Sequence, residues 1–168
     1  FTYEKKGIVP GLLERWYSER KEMQAKKKAA TDPKEIGFWD KRQLVKKIQL
    51  NSLYGAILNK GCRFEDHRIG QSTTLTGRCI TKHMGATVNL NLDDKYDHTG
   101  RTVIYGDTDS VYFSAYPIFK EQIERGEIDW SREKIIELYD AISDQVNATF
   151  PAFMNYAFNA PASQGEII

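Results

Sequence analysis

The 168 residues are 40% hydrophobic and 12% aromatic, which is enough for one domain, or two small ones, with a real core, and excludes a disordered chain. No apolar run nears the roughly 18 residues of a membrane span and no signal peptide opens the chain, so no membrane partner and a cytoplasmic location are expected. The net charge of +1 conceals an asymmetry: residues 1–84 hold 18 Lys and Arg against 9 Asp and Glu, net +9, whereas residues 85–168 hold 6 against 14, net −8. A basic half beside an acidic half suits a polyanion held by one and cations gathered by the other; equally, such charges solvate helix faces. The chain opens on Phe1 and ends at Ile168 without stop signals, as an excerpt from a longer protein would.

Residues 1–9 read as an extended lead-in. Pro10-Gly11 then precedes a helix through about Ala30, with Leu12, Leu13, Trp16, Tyr17 and Met23 near helical spacing. Thr31-Asp32-Pro33 breaks the pattern. A second helix is expected from Gly37 to Leu58, its apolar face formed by Phe38, Leu44, Val45, Ile48 and Tyr54. So short a connection predicts an antiparallel helical hairpin. A third helix is expected over residues 69–92, although Ser72–Thr76 is rich in poor helix formers. Cys62 and Cys79 form no Cys-x-x-Cys pair and have no histidine at zinc spacing, so they read as reduced thiols. His67, His83 and His98 read as structural or surface residues.

Two β-like runs follow, Arg101–Tyr105 and Val111–Ala115, separated by Gly106-Asp107-Thr108-Asp109-Ser110. A hairpin with an acidic tip is predicted. If the segment is extended, Asp107 and Asp109 point to the same side and converge on a hard cation such as Mg²⁺. Asp-Thr-Asp-Ser is also ordinary turn chemistry, and both readings stand on these residues alone. Beyond the hairpin, a short helix is predicted over Ile118–Arg125. Ser131 reads as the N-cap of a long helix that Pro151 should kink or end, with an aromatic cluster of Phe153, Tyr156 and Phe158 after it.

The second helix carries a further constellation. Lys47, Asn51, Tyr54 and Gly55 stand at i, i+4, i+7 and i+8, one stripe of an α-helix. A cation, an amide, a phenol and a bare backbone in line suit a phosphate with a flat group beyond it. Arg20 lies across the expected hairpin and adds a bidentate phosphate donor. The bland alternative is that Lys47 and Asn51 decorate a solvated face while Tyr54 is core.

Lys47-x-x-x-Asn51-Ser52-x-Tyr54-Gly55 and Tyr105-Gly106-Asp107-Thr108-Asp109-Ser110 resemble, in order and spacing, the B and C motifs of family B DNA polymerases. The wording of Lys46–Gly55 is most similar to the replicative members of T-even-like phages, and Thr73-Thr74-Leu75-Thr76-x-Arg78 resembles the segment between the motifs. The resemblance covers roughly residues 10–115. It implies an α+β fold in which residues 10–59 are the fingers, an antiparallel helical hairpin, and residues 60–168 a partial palm with a β-hairpin and packed helices. It further implies that Arg20, Lys47 and Asn51 hold the triphosphate of a dNTP and that Tyr54 and Gly55 pack near the nascent base pair. Asp109, with Asp107 as a neighbouring contributor, would ligate two Mg²⁺ ions, and Thr108 and Ser110 would shape the turn near the primer end.

Primer–template DNA and the rest of a polymerase (exonuclease, A-motif palm and thumb) are the implied partners, in a host-cell cytoplasm if the chain is phage-encoded. Two departures stand out. Gln24 occupies the position four after Arg20 where relatives carry a second basic residue, so either the triphosphate leans more on Arg20 and Lys47 or Lys26–Lys28 substitute. Nothing in the 168 residues matches the A motif, which brings the other essential Asp, so the isolated chain is expected to be inactive. Its palm face should expose apolar surface and favour self-association. A non-catalytic nucleotide- or nucleic-acid-binding module or accessory subunit is the alternative, and a reverse transcriptase-like palm fits the helical stripe less well.

Overall fold

Asp32 and Pro33 set the first corner of the chain. The Asp32 carboxylate accepts the Lys34 amide at 3.0 Å and Pro33, whose missing N–H costs nothing there, opens the helix. In the computed structural model, which describes residues 4–161, this corner joins α1 (Ile8–Ala29) to α2 (Pro33–Leu58). Then come α3 (His67–Asp93), β1 (Val103–Asp107), β2 (Ser110–Phe113), α4 (Tyr116–Glu124) and α5 (Arg132–Phe158). The α+β class, with a helical hairpin and a two-stranded antiparallel sheet, is as the sequence suggests. The chain divides into two compact units between Thr73 and Thr74.

In the first unit, α1 and α2 run antiparallel. Lys27 meets Asp40 at 2.7 Å, Arg20 Nε donates to Gln43 at 3.3 Å and Lys46 meets Glu19 at 2.7 Å, so contacts climb α2 as they descend α1. Two cations lie over rings across the same seam, Lys26 on Trp39 at 4.7 Å and Lys46 on Trp16 at 5.7 Å. The hydrogen bond from Lys46 holds the Glu19 carboxyl below its usual range, and Lys27 does the same for Asp40. The seam therefore uses α2's mixed polar face. Phe38, Leu44, Val45 and Ile48, expected to be its buried side, face solvent instead, Ile48 being 56% exposed. Helix 1 also starts earlier than Pro10, at Ile8, because Pro10 sits in its first turn, and helix 2 starts at Pro33 rather than Gly37. Of the expected lead-in, residues 1–3 lie outside the described residues and 4–7 are non-helical.

At the base of this unit the Asp66 amide donates to the Ile57 carbonyl at 2.9 Å. The Asp66 carboxylate takes the Arg68 guanidinium at 2.8 Å and the Arg68 amide at 2.9 Å, which lowers its pKa to about 2. A depressed carboxylate supports the fold above its unfolded pKa, and the support is lost as pH falls through about 2.

The second unit is built around Val88 of α3 and Ile142, Val146 and Phe150 of α5, with Ile80, Met84, Leu92, Val103, Phe113 and Leu138 packed against them. The α5 residues recur at four-residue spacing, one stripe of the helix. Helix 3 forms despite its hydroxyl residues because these bond back to its own carbonyls: Ser72 and Thr73 to Ile69, Thr87 to His83. Pro151 neither ends nor breaks α5, which continues to Phe158. Proline withholds one amide from the ladder, and burial of the stripe through Phe150 carries the helix past it. Ser131 is the N-cap by position, but its hydroxyl serves Asp129 rather than the helix amides. Phe153 and Phe158 meet edge to face at 5.9 Å, whereas Tyr156 is 90% exposed and outside the cluster.

His83 ties three segments of this unit together. Its Nδ1 lies 2.7 Å from the Tyr96 hydroxyl, its Nε2 lies 2.9 Å from the Thr149 hydroxyl, and its ring stacks on Phe153 at 3.9 Å. Burial pushes its pKa below the ordinary 6.5. The unfolded chain therefore binds the extra proton first, and stability rises with pH through the interval just below 6.5. Thermal melts are expected to give a lower Tm at pH 5.5 than at 7.5, with His83→Gln flattening the difference. An unchanged pH profile in that variant would assign the effect elsewhere.

The hairpin is anchored on its inner side. Thr102 and Asn89 are fully buried; the Thr102 hydroxyl donates to the Asn89 side-chain oxygen, and the Asn89 amide donates to the Asp97 carbonyl. Any side chain at Gly100 would collide with the Asn89 amide. The Ser114 amide then continues the pairing to the Thr102 carbonyl at 2.8 Å. Register slips between Val103 and Tyr105, leaving Ile104 as a bulge that is 71% exposed, with Tyr105 and Tyr112 exposed beside it.

Candidate functional site

The four stripe residues all lie on α2. Lys47, Asn51, Tyr54 and Gly55 are all exposed. Adjacent lysines part company here. Lys46 is committed to Glu19 and Trp16 in the seam, whereas among the described residues Lys47 meets no carboxylate and points outward. Tyr54 is not core: its ring is at the surface and its hydroxyl donates to the buried Gly70 carbonyl at 3.4 Å. Arg20 is half-buried, tied at Nε to Gln43. Lys26 and Lys27, which could have replaced the missing basic residue at Gln24, are engaged with Trp39 and Asp40.

Gly55 has open space beside it, since a Cβ there would meet nothing within 4 Å. A glycine within a helix costs up to about 1 kcal/mol relative to alanine, and no packing requires this one. Gly37 is in the same situation. Both Gly55→Ala and Gly37→Ala are therefore expected to stabilise α2 by about 0.5–1 kcal/mol in urea unfolding. Loss of stability in either variant would contradict the open space beside that glycine.

Asp107 and Asp109 lie in the second unit, both exposed, at the tip of the hairpin. β1 ends at Asp107, which pairs with Ser110, so Thr108-Asp109 is a two-residue turn. The extended segment on which same-side presentation was argued therefore stops between the carboxylates, and the turn itself sets the direction of Asp109. Thr108 takes φ 44°, the left-handed region. A tight hairpin loop needs a positive φ at its first central residue, but a β-branched residue there is strained by about 1–3 kcal/mol. Three hydroxyls brace the turn. Thr108 donates to the Asp107 carboxylate at 3.0 Å, Ser110 donates to the Asp107 carbonyl at 3.1 Å, and Thr81 of α3 donates to the Thr108 carbonyl at 2.7 Å. Thr81 escaped notice in the sequence because a contact across 27 positions leaves no local signature.

The carboxylates suit a hard cation in part. Mg²⁺ is typically held by one or two carboxylates, completed by water and substrate phosphates. Among the described residues no group of three or more His, Cys, Asp or Glu could hold a metal ion, so Asp107 and Asp109 could furnish only part of a coordination shell.

The family model for DNA polymerase family B matches residues 2–125, which include both the α2 stripe and the acidic turn. The chain belongs to DNA polymerase family B. It is 39% identical over 109 residues to the DNA polymerase delta catalytic subunit of Glycine max, covering 64% of this chain and 10% of that one. It is 32% identical over 130 residues to a DNA polymerase of Pyrococcus glycovorans, covering 77% and 16%. It is 29% identical over 153 residues to a DNA polymerase of Red sea bream iridovirus, covering 89% and 14%. This family B chain thus spans a tenth to a sixth of the length of the relatives it matches. Among its described residues no helix is long and apolar enough to cross a membrane.

Proposed function

We propose that this chain is the fingers and part of the palm of a DNA-directed DNA polymerase, with residues 10–59 as fingers and 60–168 as partial palm. The observation that carries the reading is the outward, uncommitted Lys47 at the head of an exposed Asn51–Tyr54–Gly55 stripe, inside the region matched by the family. Lys47 and Arg20 supply positive charge to the triphosphate of an incoming dNTP, and Asn51 hydrogen-bonds a further oxygen. Tyr54 presents a flat surface, with its hydroxyl fixed on Gly70, and Gly55 allows close approach of the nascent base pair. Asp109, assisted by Asp107, contributes carboxylate oxygens to divalent ions, while Thr108 and Ser110 keep the turn in shape near the primer terminus. Asp109 and Asp107 would hold such ions in part, and the chemistry supplied there would be a lowered pKa at the primer 3′-hydroxyl and charge neutralisation at the pyrophosphate. The wording of Lys46–Gly55 supports a T-even-like phage type, and with it a host-cell cytoplasm. The exposed Ile104, Tyr105 and Tyr112 support docking to the remaining palm, or self-association in its absence.

With no A-motif carboxylate in its 168 residues, the chain alone should not extend a primer. Robust extension by the isolated chain with Mg²⁺ and dNTPs would overturn the proposal. An A-motif fragment supplied in trans should restore extension. An accessory, non-catalytic role is the second reading, favoured by that same missing carboxylate; no rescue, with DNA binding retained, would select it.

A further inference from the structure

We infer that Thr81 is a positioning residue for the acidic turn, holding Thr108 in the left-handed conformation from which Asp109 is presented. Its consequence for metal binding rests on the function proposed above; its consequence for the turn does not. The two branches of the Thr81 side chain act on the two sides of the hairpin tip. The hydroxyl donates to the Thr108 carbonyl at 2.7 Å, and a methyl added to Gly106 would meet the Thr81 Cγ2 at 3.9 Å. The hydroxyl also lies 3.1 Å from the Gly77 carbonyl of its own helix turn. A hydroxyl has one proton, and the shorter, non-local partner takes it. When the proton turns to Gly77, the turn loses the one side-chain hydrogen bond that ties it to α3 among the described residues, and Thr108 is freer to relax toward negative φ. Within the hairpin the Thr108 and Ser110 hydroxyls bond only to Asp107, so among the described residues Thr81 is the side chain that ties the turn to a second element. Helix 3 is a firm base for the tie, since it contributes Val88, Asn89 and His83 to the interior of the unit.

The test separates the branches in the 168-residue chain. Thr81→Val keeps the methyl and removes the hydroxyl; Thr81→Ser does the reverse. NMR would follow the Thr108 HN–Hα coupling, which reports φ, and amide exchange at Ser110, the partner of Asp107. Thr81→Val is expected to shift the coupling and speed Ser110 exchange about fivefold or more, as loss of one neutral hydrogen bond would do, while Thr81→Ser stays within twofold of the parent. Mn²⁺ titration followed by EPR should show weaker binding, roughly three- to tenfold, in Thr81→Val alone. Parent-like coupling and exchange in Thr81→Val would overturn the inference, as would faster exchange spread equally to the Val88 and Phe150 amides. Asp109→Asn serves as the reference for the metal. If it leaves Mn²⁺ binding unchanged, the metal assignment fails, and the coupling and exchange data still decide the role of Thr81.

Discussion

Asp109→Asn, in the polymerase completed with its A-motif segment, is expected to lower single-turnover primer extension on the order of a thousandfold. The substitution is nearly isosteric and removes an anionic oxygen donor. Asp109 is exposed in a two-residue turn, and among the described residues no ion pair or hydrogen bond holds its side chain, so the fold should be indifferent to the change. Melting temperature and dNTP-independent DNA binding should stay near parental values. Asp107→Asn should cost less, because the Asp107 side chain already accepts the Thr108 hydroxyl and an amide oxygen can do the same. Activity of Asp109→Asn within tenfold of the parent would overturn the proposed metal role of Asp109.

Lys47→Ala is expected to raise the apparent KM for dNTP roughly 10- to 100-fold, the range for losing one hydrogen bond to a charged group. Affinity for primer–template and its salt dependence should change little, because a triphosphate contact differs from tracking a nucleic-acid backbone. The neighbouring lysine provides the contrast. Lys46→Ala removes the Glu19 ion pair and the cation over Trp16, so its effect should appear in urea unfolding of the helical hairpin rather than in nucleotide affinity. Equal losses of nucleotide and DNA affinity in Lys47→Ala would contradict the assignment.

The helical hairpin and the position of the acidic tip were legible because they rest on local chemistry: Asp32-Pro33 as a corner, and Gly, Asp and Ser between β-branched runs. The inward face of α2 was not. Its seam is made by Asp40, Gln43 and Lys46 working with cations and rings of α1, so apolar periodicity pointed to the side that faces solvent. Nor does Pro151 end α5: the local penalty is real, but the burial of Ile142, Val146 and Phe150 on the same helix outweighs it. Spacing nominated Lys47, Asn51, Gly55, Asp107 and Asp109 as candidates, and the structure leaves all five exposed. The element that braces the turn, Thr81 against Thr108, belongs to tertiary structure and was invisible.

The seam of α1 and α2 also carries a calorimetric signature. The heat-capacity increment of unfolding follows the apolar area newly exposed to water, and polar surface subtracts from it. Among the described residues, only Ile57 and Gly70 of the first unit are buried, against the full α3–α5 cluster of the second. Opening the helical hairpin should therefore shift the heat-capacity baseline little. In a scan of the whole chain the baseline step should belong almost entirely to the second unit, and the hairpin's free energy should vary nearly linearly with temperature where its neighbour's is strongly curved.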